Sequence, residues 1–493
     1  MDFIKVKVGL ISAWDKSQIV DFSKKLCALN VELIATEGTC KFLKEKGIDA
    51  KETSAIAGMP EMLNGRVKSI HPKIFSAILA QRDKKAHMEE LKKYGIKPID
   101  LIFVSLYPYQ YKSSIDYIDI GGVALIRAGA KNYNWVVTIT EPKAFEEVLK
   151  EIEEYGGVSI ETSRKLASYA FFHTSKYDSI IANGIYGKNA LPPYLGLNYR
   201  KFEELRYGEN PNQLAAIYEG NGKMNFNQIH GIKLSYNNLL DLETAYDLCM
   251  EFKEPSVAVI KHTNPCGVAS STSLEKAFLN AVNADRSSAY GSIIGINRKV
   301  DIKTAERMDE LFIECVIAPD YDENALKILK KKKRLRIISL PEYKKDYIDV
   351  KKVFGYIALQ KSENSRMELK VVSKRKPTKN EIENAIFAWK VVKYVKSNGI
   401  VLAKNFVTLG IGAGQMSRVD SVKIAVNKAG RIKGTVMASD GFFPFRDAIE
   451  TSAAAGVKCI IQPGGSIRDD DIIRCADELK ISMLFTNLRC FRH

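Results

Sequence analysis

The stretch "VAVIKHTNPCGVA", Val257 to Ala269, decides how the larger part of the chain is built. An apolar run ends in Lys261-His262, and Asn264-Pro265-Cys266-Gly267 follows. This is the composition of a core strand running into a turn. A second passage has the same form, "GIVLAKNFVTLGIGAGQMSRVDS", Gly399 to Ser421. The first is followed by "AYGSIIGINRKVDIKTAERM" and "ECVIAP", the second by "VMASDGFFPFRDAIETSAAAG" and "KCIIQPGG". Both times, strand and loop lead to strand and helix, then to a strand ending near Pro. Residues 199–493 therefore read as a duplicated α/β region, with copies at about 199–370 and 371–493.

Upstream, short β-rich runs alternate with amphipathic helical patterns. "KVGLIS" precedes "SQIVDFSKKLCALN", "VELIAT" precedes "CKFLKEKG", and "DLIFVSLYPY", "IGGVALIRAGAKNY" and "WVVTIT" follow. This alternation predicts a parallel sheet with helices on both faces. The polar passage "GKNALPPYLGLNYRKFEE" closes the unit, so residues 1–198 read as one domain.

A chain of 493 residues is too long for one core, and two to four domains are expected. Hydrophobic content of 46% with 27% charged residues is that of a soluble globular protein. No apolar run approaches the ~18 residues of a membrane span. The start "MDFIKVKVGLISAWDKS" mixes charge into its apolar run, unlike a signal peptide. The eight cysteines include no C-x-x-C pair and no His at finger spacing. Structural zinc is therefore not expected, and free thiols in a reducing cytoplasm are. The net charge of +16 suits nucleic acid or phosphorylated small substrates. The sharpest basic run, "LKKKKRLR" at 329–336, reads as a solvated helix end or loop, with no RNA motif or finger beside it. Neither nucleic acid nor membrane is an expected partner.

The residues of the opening stretch allow several chemistries. Zinc deamination needs P-C-x-x-C, and no second cysteine follows Pro265-Cys266, so no catalytic metal is expected. A nucleophilic Cys266 would need His262 as its base; a buried cysteine in a turn suits it better. Neighbours in a strand point to opposite faces. Lys261 and His262 can face one substrate only if the strand ends at Ile260, which Asn264-Pro265 favours. "GIGAGQ" has Gln415 where a dinucleotide fingerprint needs its third glycine, so no NAD site is expected.

In the first domain, strands hand over to helix starts at "SAWDKS", "ATEGTC" and "NGRVKSIHP". Such handovers bind phosphate, although Ser or Thr there also serves as an ordinary cap. In "IDIGGVALIRAGAKNY", Asp119 precedes Gly121-Gly122, which fit a turn. Lys131 comes twelve residues later and can share a site with Asp119 only if Asp119 lies in the loop.

"GMPEMLNGRVKSIHPKI", "SLYPY" and "IDIGGVALIRAGAKNY" resemble the inosine-monophosphate (IMP) cyclohydrolase domain of a bifunctional purine-biosynthesis family. "LRYGENPNQ", "LSYNNLLD", "KHTNPCG", "SNGIVLAK", "GIGAGQMSRVDS", "SDGFFPFRD" and "QPGGSIRD" resemble its aminoimidazole carboxamide ribonucleotide (AICAR) transformylase domain. The likeness runs from about residue 6 to the C-terminal "LRCFRH". It implies a methylglyoxal-synthase-like N-terminal domain and a duplicated cytidine-deaminase-like region without zinc. The implied reactions are formyl transfer from 10-formyltetrahydrofolate to AICAR, then closure of formyl-AICAR to IMP with loss of water. An intertwined, cytoplasmic homodimer is implied as well.

By motif, the resemblance places Lys68, Tyr107, Asp119 and Lys131 in the cyclohydrolase site, with Lys131 moving the proton. Thr36, Glu37, Gly38, Thr39, Arg66, Val67 and Ser69 hold the nucleotide. In the transformylase, His262 is the implied base, Lys261 stabilises the oxyanion and Asn398 orients the transferring group. Arg206, Tyr207, Asn238, Gly291, Glu314, Arg418 and Arg489 are implied substrate contacts, with Phe442, Asp447, Ser466 and Ile467 meeting nucleotide or folate. Trp14, Glu37 and Ser105 depart from the family pattern, where small residues, a glycine-rich turn and Asn are usual. An impaired cyclohydrolase beside an active transformylase is the alternative these departures raise.

Overall fold

The computed structural model describes residues 3–63, 67, 69–109, 114–187, 191–220, 226–341, 348–361, 367–430 and 433–493. Arg66 and Lys68 lie outside them. The chain forms two compact units, 1–199 and 200–493.

The first unit holds an all-parallel five-stranded sheet. Its spatial order is Lys51–Glu52, Glu32–Ala35, Val8–Ala13, Leu101–Ser105, Val137–Ile139. Side-chain alternation feeds two cores. Leu10, Ile102 and Val104 join Ile74, Ile78 and Leu125 on one face. Ile11, Leu101 and Phe103 join Phe22, Leu43 and Phe145 on the other. Helices cover both faces, which is why the strands are apolar runs rather than alternating ones. The two-residue edge strand Lys51–Glu52 is too short to show a period and escapes sequence reading. Gly121-Gly122 is not a turn but the first turn of the helix Gly121–Lys131. A Cβ at Gly121 would stand 2.8 Å from Ser69 Oγ, and one at Gly122 would stand 2.7 Å from an Asp119 carboxylate oxygen. Close approach, not turn geometry, requires glycine here.

The second unit is built on a twelve-stranded sheet. One half runs Asn227–His230, Arg336–Ser339, Ile313–Ala318, Ser292–Ile296, Ser256–Lys261, Asn264–Ser270. The other continues Val407–Gly412, Ile400–Lys404, Thr435–Ser439, Val457–Gln462, Ser482–Phe485, Lys370–Val371. Read outward from the seam Ala269↔Val407, both halves show the same succession of antiparallel and parallel pairs. Even the register shifts recur, at Val259/Ile260 and at Leu402/Ala403. Cys315 of "ECVIAP" and Cys459 of "KCIIQP" sit on equivalent strands. On one face, the helices Tyr236–Met250 and Lys379–Val392 share a single core across the seam. On the other face each half has its own core.

The strand expected to stop at Ile260 continues through Lys261, and Asn264-Pro265 begins the return strand instead of ending the first. The two strands form a tight hairpin in which Lys261 pairs with Asn264 across His262-Thr263. Cys266 accordingly lies in the return strand rather than in a turn, and burial pushes its thiol up to about 11. The basic run at 329–336 is a helix end: the helix Glu323–Leu329 stops there, and Lys330, Lys331, Lys333 and Arg334 are exposed.

Gly267 and Gly410 occupy the same place in the two halves. A Cβ would come within 1.9 Å of Ala281 O at Gly267 and 2.0 Å of Ala425 O at Gly410. Gly410→Ala must push the helix Arg418–Ala429 off the sheet. We expect a loss of about 1–3 kcal/mol, seen as a lower denaturant midpoint for the second unit; an unchanged midpoint would contradict the close approach.

Candidate active sites

In the first unit, Thr36, Thr39, Ser69, Tyr107 and Asp119 lie beyond the C-terminal ends of the parallel strands, where α/β sheets bind ligands, and Lys131 does not. Thr36 follows the strand Glu32–Ala35 and holds the position before the helix Glu37–Glu45, without a side-chain capping bond. Thr36 and Thr39 are buried, and their hydroxyls are bonded to each other at 3.2 Å. Thr39 Oγ1 also accepts from Ala13 N at 3.1 Å, tying this turn to the end of the neighbouring strand. Glu37 and Gly38 are exposed. Ser69 is buried beside Gly121, and Val67 is exposed, bridged to Met62. His71, from the third handover, caps the helix Pro72–Leu79 through Nδ1.

Asp119 lies in the loop before its helix. Its Oδ1 accepts from Gly122 N at 2.7 Å, and its own N–H donates to Tyr177 Oη at 2.8 Å. Tyr177 Oη in turn donates to Tyr117 O. Tyr107 meets Trp14 edge to face at 5.0 Å. Lys131 is the last residue of the helix Gly121–Lys131 and is exposed. Eleven helical residues rise about 16 Å, so Asp119 and Lys131 stand at opposite ends of that helix.

In the second unit, Lys261, His262, Asn238, Gly291 and Glu314 come together. The turn residues His262 and Thr263 have φ of 55° and 60°. Two left-handed residues in sequence make the turn that matches hairpin twist, but His and the β-branched Thr pay for it in strain. Asp241 compensates: it accepts His262 N at 3.3 Å and Thr263 N at 2.5 Å. Burial pushes its carboxyl above the usual carboxylate range, against the opposing pull of those two amides. Lys261 Nζ donates to Tyr290 O at 2.9 Å, next to Gly291. Asn238 caps its helix reciprocally with Ser235 and donates to Glu314 at 3.3 Å. Arg206 is exposed, with its guanidinium over Tyr207 at 5.3 Å.

The other half supplies a second cluster. Arg418 is buried; it pairs with the fully buried Asp440 and donates to Ser439 Oγ at 2.8 Å and to Asn398 Oδ1 at 2.7 Å. Asn398 Nδ2 donates to the carbonyls of Gln415 and Met416. Ser397 Oγ holds the second Asp440 oxygen at 2.5 Å. Phe442, Asp447, Ile467 and Arg489 are exposed, and Ser466 is half-buried. The two clusters are linked through Asn264, which donates to His262 O at 3.1 Å and accepts from Lys396 N at 2.9 Å.

Duplication separates what the fold needs from what chemistry needs. The second hairpin turns at Asn405-Phe406, with φ of 53° and 58°. Asn384, at the place of Asp241, accepts Phe406 N at 2.8 Å. Lys404, at the place of Lys261, donates to Lys433 O at 2.7 Å, and Gly434 repeats the positive φ of Gly291. The turn therefore forms with Asn at its first position, and the imidazole of His262 is surplus to folding.

The family described as AICARFT/IMPCHase bienzyme matches residues 129–428, and the MGS-like domain matches 18–134. The bifunctional purine biosynthesis protein PurH of Thermoanaerobacter sp. (strain X514) is 46% identical, over 99% of this chain and all of its own. Its namesake from Persephonella marina is 45% identical over 98% and 99% of the two chains. The chain belongs to the AICARFT/IMPCHase bienzyme family. A solved structure titled "Crystal structure of ForH" is similar at 30% identity, covering 37% of this chain and all of its own with a TM-score of 0.34.

Within this bienzyme, sequence reading missed Asp241, Asn264 and Asp440. Asp241 had a signal: with Ala245 and Leu248 it lies on the buried stripe of its helix, where a carboxylate needs a reason. Asp440 had none, because its partners are about twenty to forty positions away, and the link from Asn264 to Lys396 spans more than a hundred. Among the described residues, no group of three or more His, Cys, Asp or Glu could hold a metal ion, and no helix is long and apolar enough to cross a membrane.

Proposed function

We propose that the second unit transfers the formyl group of 10-formyltetrahydrofolate to AICAR, and that the first closes formyl-AICAR to IMP. The protein is a bifunctional enzyme of purine biosynthesis, an AICAR formyltransferase and IMP cyclohydrolase. The observation that carries the transfer reading is the strained hairpin tip holding Lys261 and His262, whose counterpart in the other half has no base. The AICAR amine attacks the formyl carbon while His262 takes its proton. Lys261 stabilises the developing oxyanion, and the folate nitrogen leaves. The exposure of the imidazole at this tip supports a role for it in meeting a substrate. Asn238 and Glu314 bond to each other, Gly291 follows the carbonyl that holds Lys261, and Arg206 would offer a cation to the phosphate. Asn398 would act from the second cluster, its side-chain oxygen held by the buried Arg418.

Ring closure needs the carboxamide nitrogen to attack the formyl carbon and the oxygen to leave as water. Positioning and charge suffice for it. Asp119, Tyr107 and the Thr36–Thr39 turn support this site. Lys68 would join them; the resemblance alone assigns the proton to Lys131, which stands at the other end of the helix from Asp119. No observation favours an impaired cyclohydrolase: Glu37 is exposed, and the buried Thr36 and Thr39 keep the turn formed. A homodimer sharing transformylase residues is supported by the exposure of Phe442, Ile467 and Arg489. A cytoplasmic location fits the substrates.

The test supplies zinc-free protein with AICAR and 10-formyltetrahydrofolate and follows formyl-AICAR and IMP; rates no faster than buffer would sink the reading. Lys131→Ala is expected to slow ring closure of added formyl-AICAR by about 10²–10⁴-fold and to spare formyl transfer. Unchanged closure would remove Lys131 from the reaction and leave Asp119 and Tyr107 as the acid-base candidates.

A further inference from the structure

Trp14 is the first residue beyond the strand Val8–Ala13 and stands at the site assigned above to ring closure. Its backbone N–H donates to Ser105 O at 3.2 Å, and Asp15 N donates to Ser105 Oγ at 3.4 Å. The residue is thereby fixed against the exit of the neighbouring strand. Its ring meets Tyr107 at 5.0 Å and 88°, and Tyr117 at 5.7 Å and 77°. Both are edge-to-face contacts, which favour one relative orientation of the rings. Tyr117 belongs to the turn whose carbonyl accepts from Tyr177, the hydroxyl that also accepts the Asp119 N–H. Trp14 thus touches two segments that carry Tyr107 and Asp119. An indole at a solvent-facing position is nevertheless 44% exposed, although nothing in the core requires it there.

We infer that Trp14 is a positioning residue of the cyclohydrolase, bracing Tyr107 and Tyr117 while its exposed surface stacks on the heterocycle of the nucleotide. The inference rests on the ring-closure reading of this site. Its chemical logic lies in the change of shape during the reaction. The substrate is an imidazole with two pendant groups that rotate freely. Ring closure forms the bond between carboxamide nitrogen and formyl carbon, releases water and leaves a flat bicyclic purine. A flat aromatic surface gains contact as the two pendant groups become coplanar with the ring. That gain is larger in the transition state than in the substrate, so it raises kcat and not only affinity. Tyr107, held by its perpendicular contact with the indole, keeps its hydroxyl in one place during the attack.

The three tryptophans make the test readable. Trp389 is buried and Trp135 half-buried, so Trp14 is the exposed one. Two measurements on the full chain decide the matter. In the first, ring closure of formyl-AICAR by Trp14→Ser should fall about tenfold or more in kcat, with a smaller rise in KM. Trp14→Phe should recover most of the loss, and formyl transfer should stay unchanged in both. In the second, IMP should quench tryptophan emission of the wild-type protein and fail to do so in Trp14→Phe, which still binds IMP by calorimetry. A wild-type protein without ring closure would overturn the assignment of the site itself. An active wild type with Trp14→Ser equal to it in kcat and KM would overturn the role of Trp14 alone. Quenching that persists in Trp14→Phe would overturn the stacking.

Discussion

His262→Asn is expected to lower formyl transfer by about 10²–10⁴-fold while ring closure of added formyl-AICAR continues at the wild-type rate. The choice of Asn comes from the chain itself. Asn405 occupies the equivalent place in the second hairpin, at nearly the same φ. Asn tolerates the left-handed region better than most residues. The variant therefore keeps the turn and the two amide bonds to Asp241, and removes only the imidazole. His262→Ala should give the same loss of transfer with some extra strain. Rates of both half-reactions, measured on the same folded preparation, decide it. Transfer at the wild-type rate in His262→Asn would leave the site without its base. Loss of both activities would contradict the division between two units.

The second large effect concerns Arg418, which reads from sequence as a substrate contact. Its side chain is 7% exposed and that of Asp440 is 0% exposed, and the two form a pair inside the fold. Ser397, Ser439 and Asn398 complete the network. Arg418→Leu leaves the buried Asp440 carboxylate with the Ser397 hydroxyl as its side-chain partner. Breaking a buried pair from one side costs about 3–5 kcal/mol. We expect the unfolding midpoint of the second unit to fall accordingly, together with formyl transfer. Arg418→Leu with Asp440→Asn should recover part of the stability, because no uncompensated charge remains. A single variant as stable as wild type, deficient only in substrate affinity, would show that the arginine serves the ligand and not the fold.

Much of the architecture is legible in the sequence because it is periodic. The strands around Leu10, Leu33 and Phe103 are apolar runs between helical patterns, and a doubly covered parallel sheet is what such runs build. The duplication shows itself in "ECVIAP" and "KCIIQP" because equivalent core strands need similar residues. The location of the hairpin tip escaped, since Asn264-Pro265 signals a break equally well before or after itself. Here the ladder continues to Lys261, and the break is only the two residues His262 and Thr263.

Sequence alone determined the fold class, the family and the residue types at the sites, because these depend on local pattern and long ordered motifs. Tertiary structure decided which of those residues meet. It placed Asp241 under the His262 turn, buried Arg418 against Asp440, set Lys131 at the far end of its helix from Asp119 and laid Trp14 against Tyr107. Such contacts join positions many residues apart, and no local pattern carries them. Whether a charged side chain faces a substrate or a buried partner is settled by the packing around it.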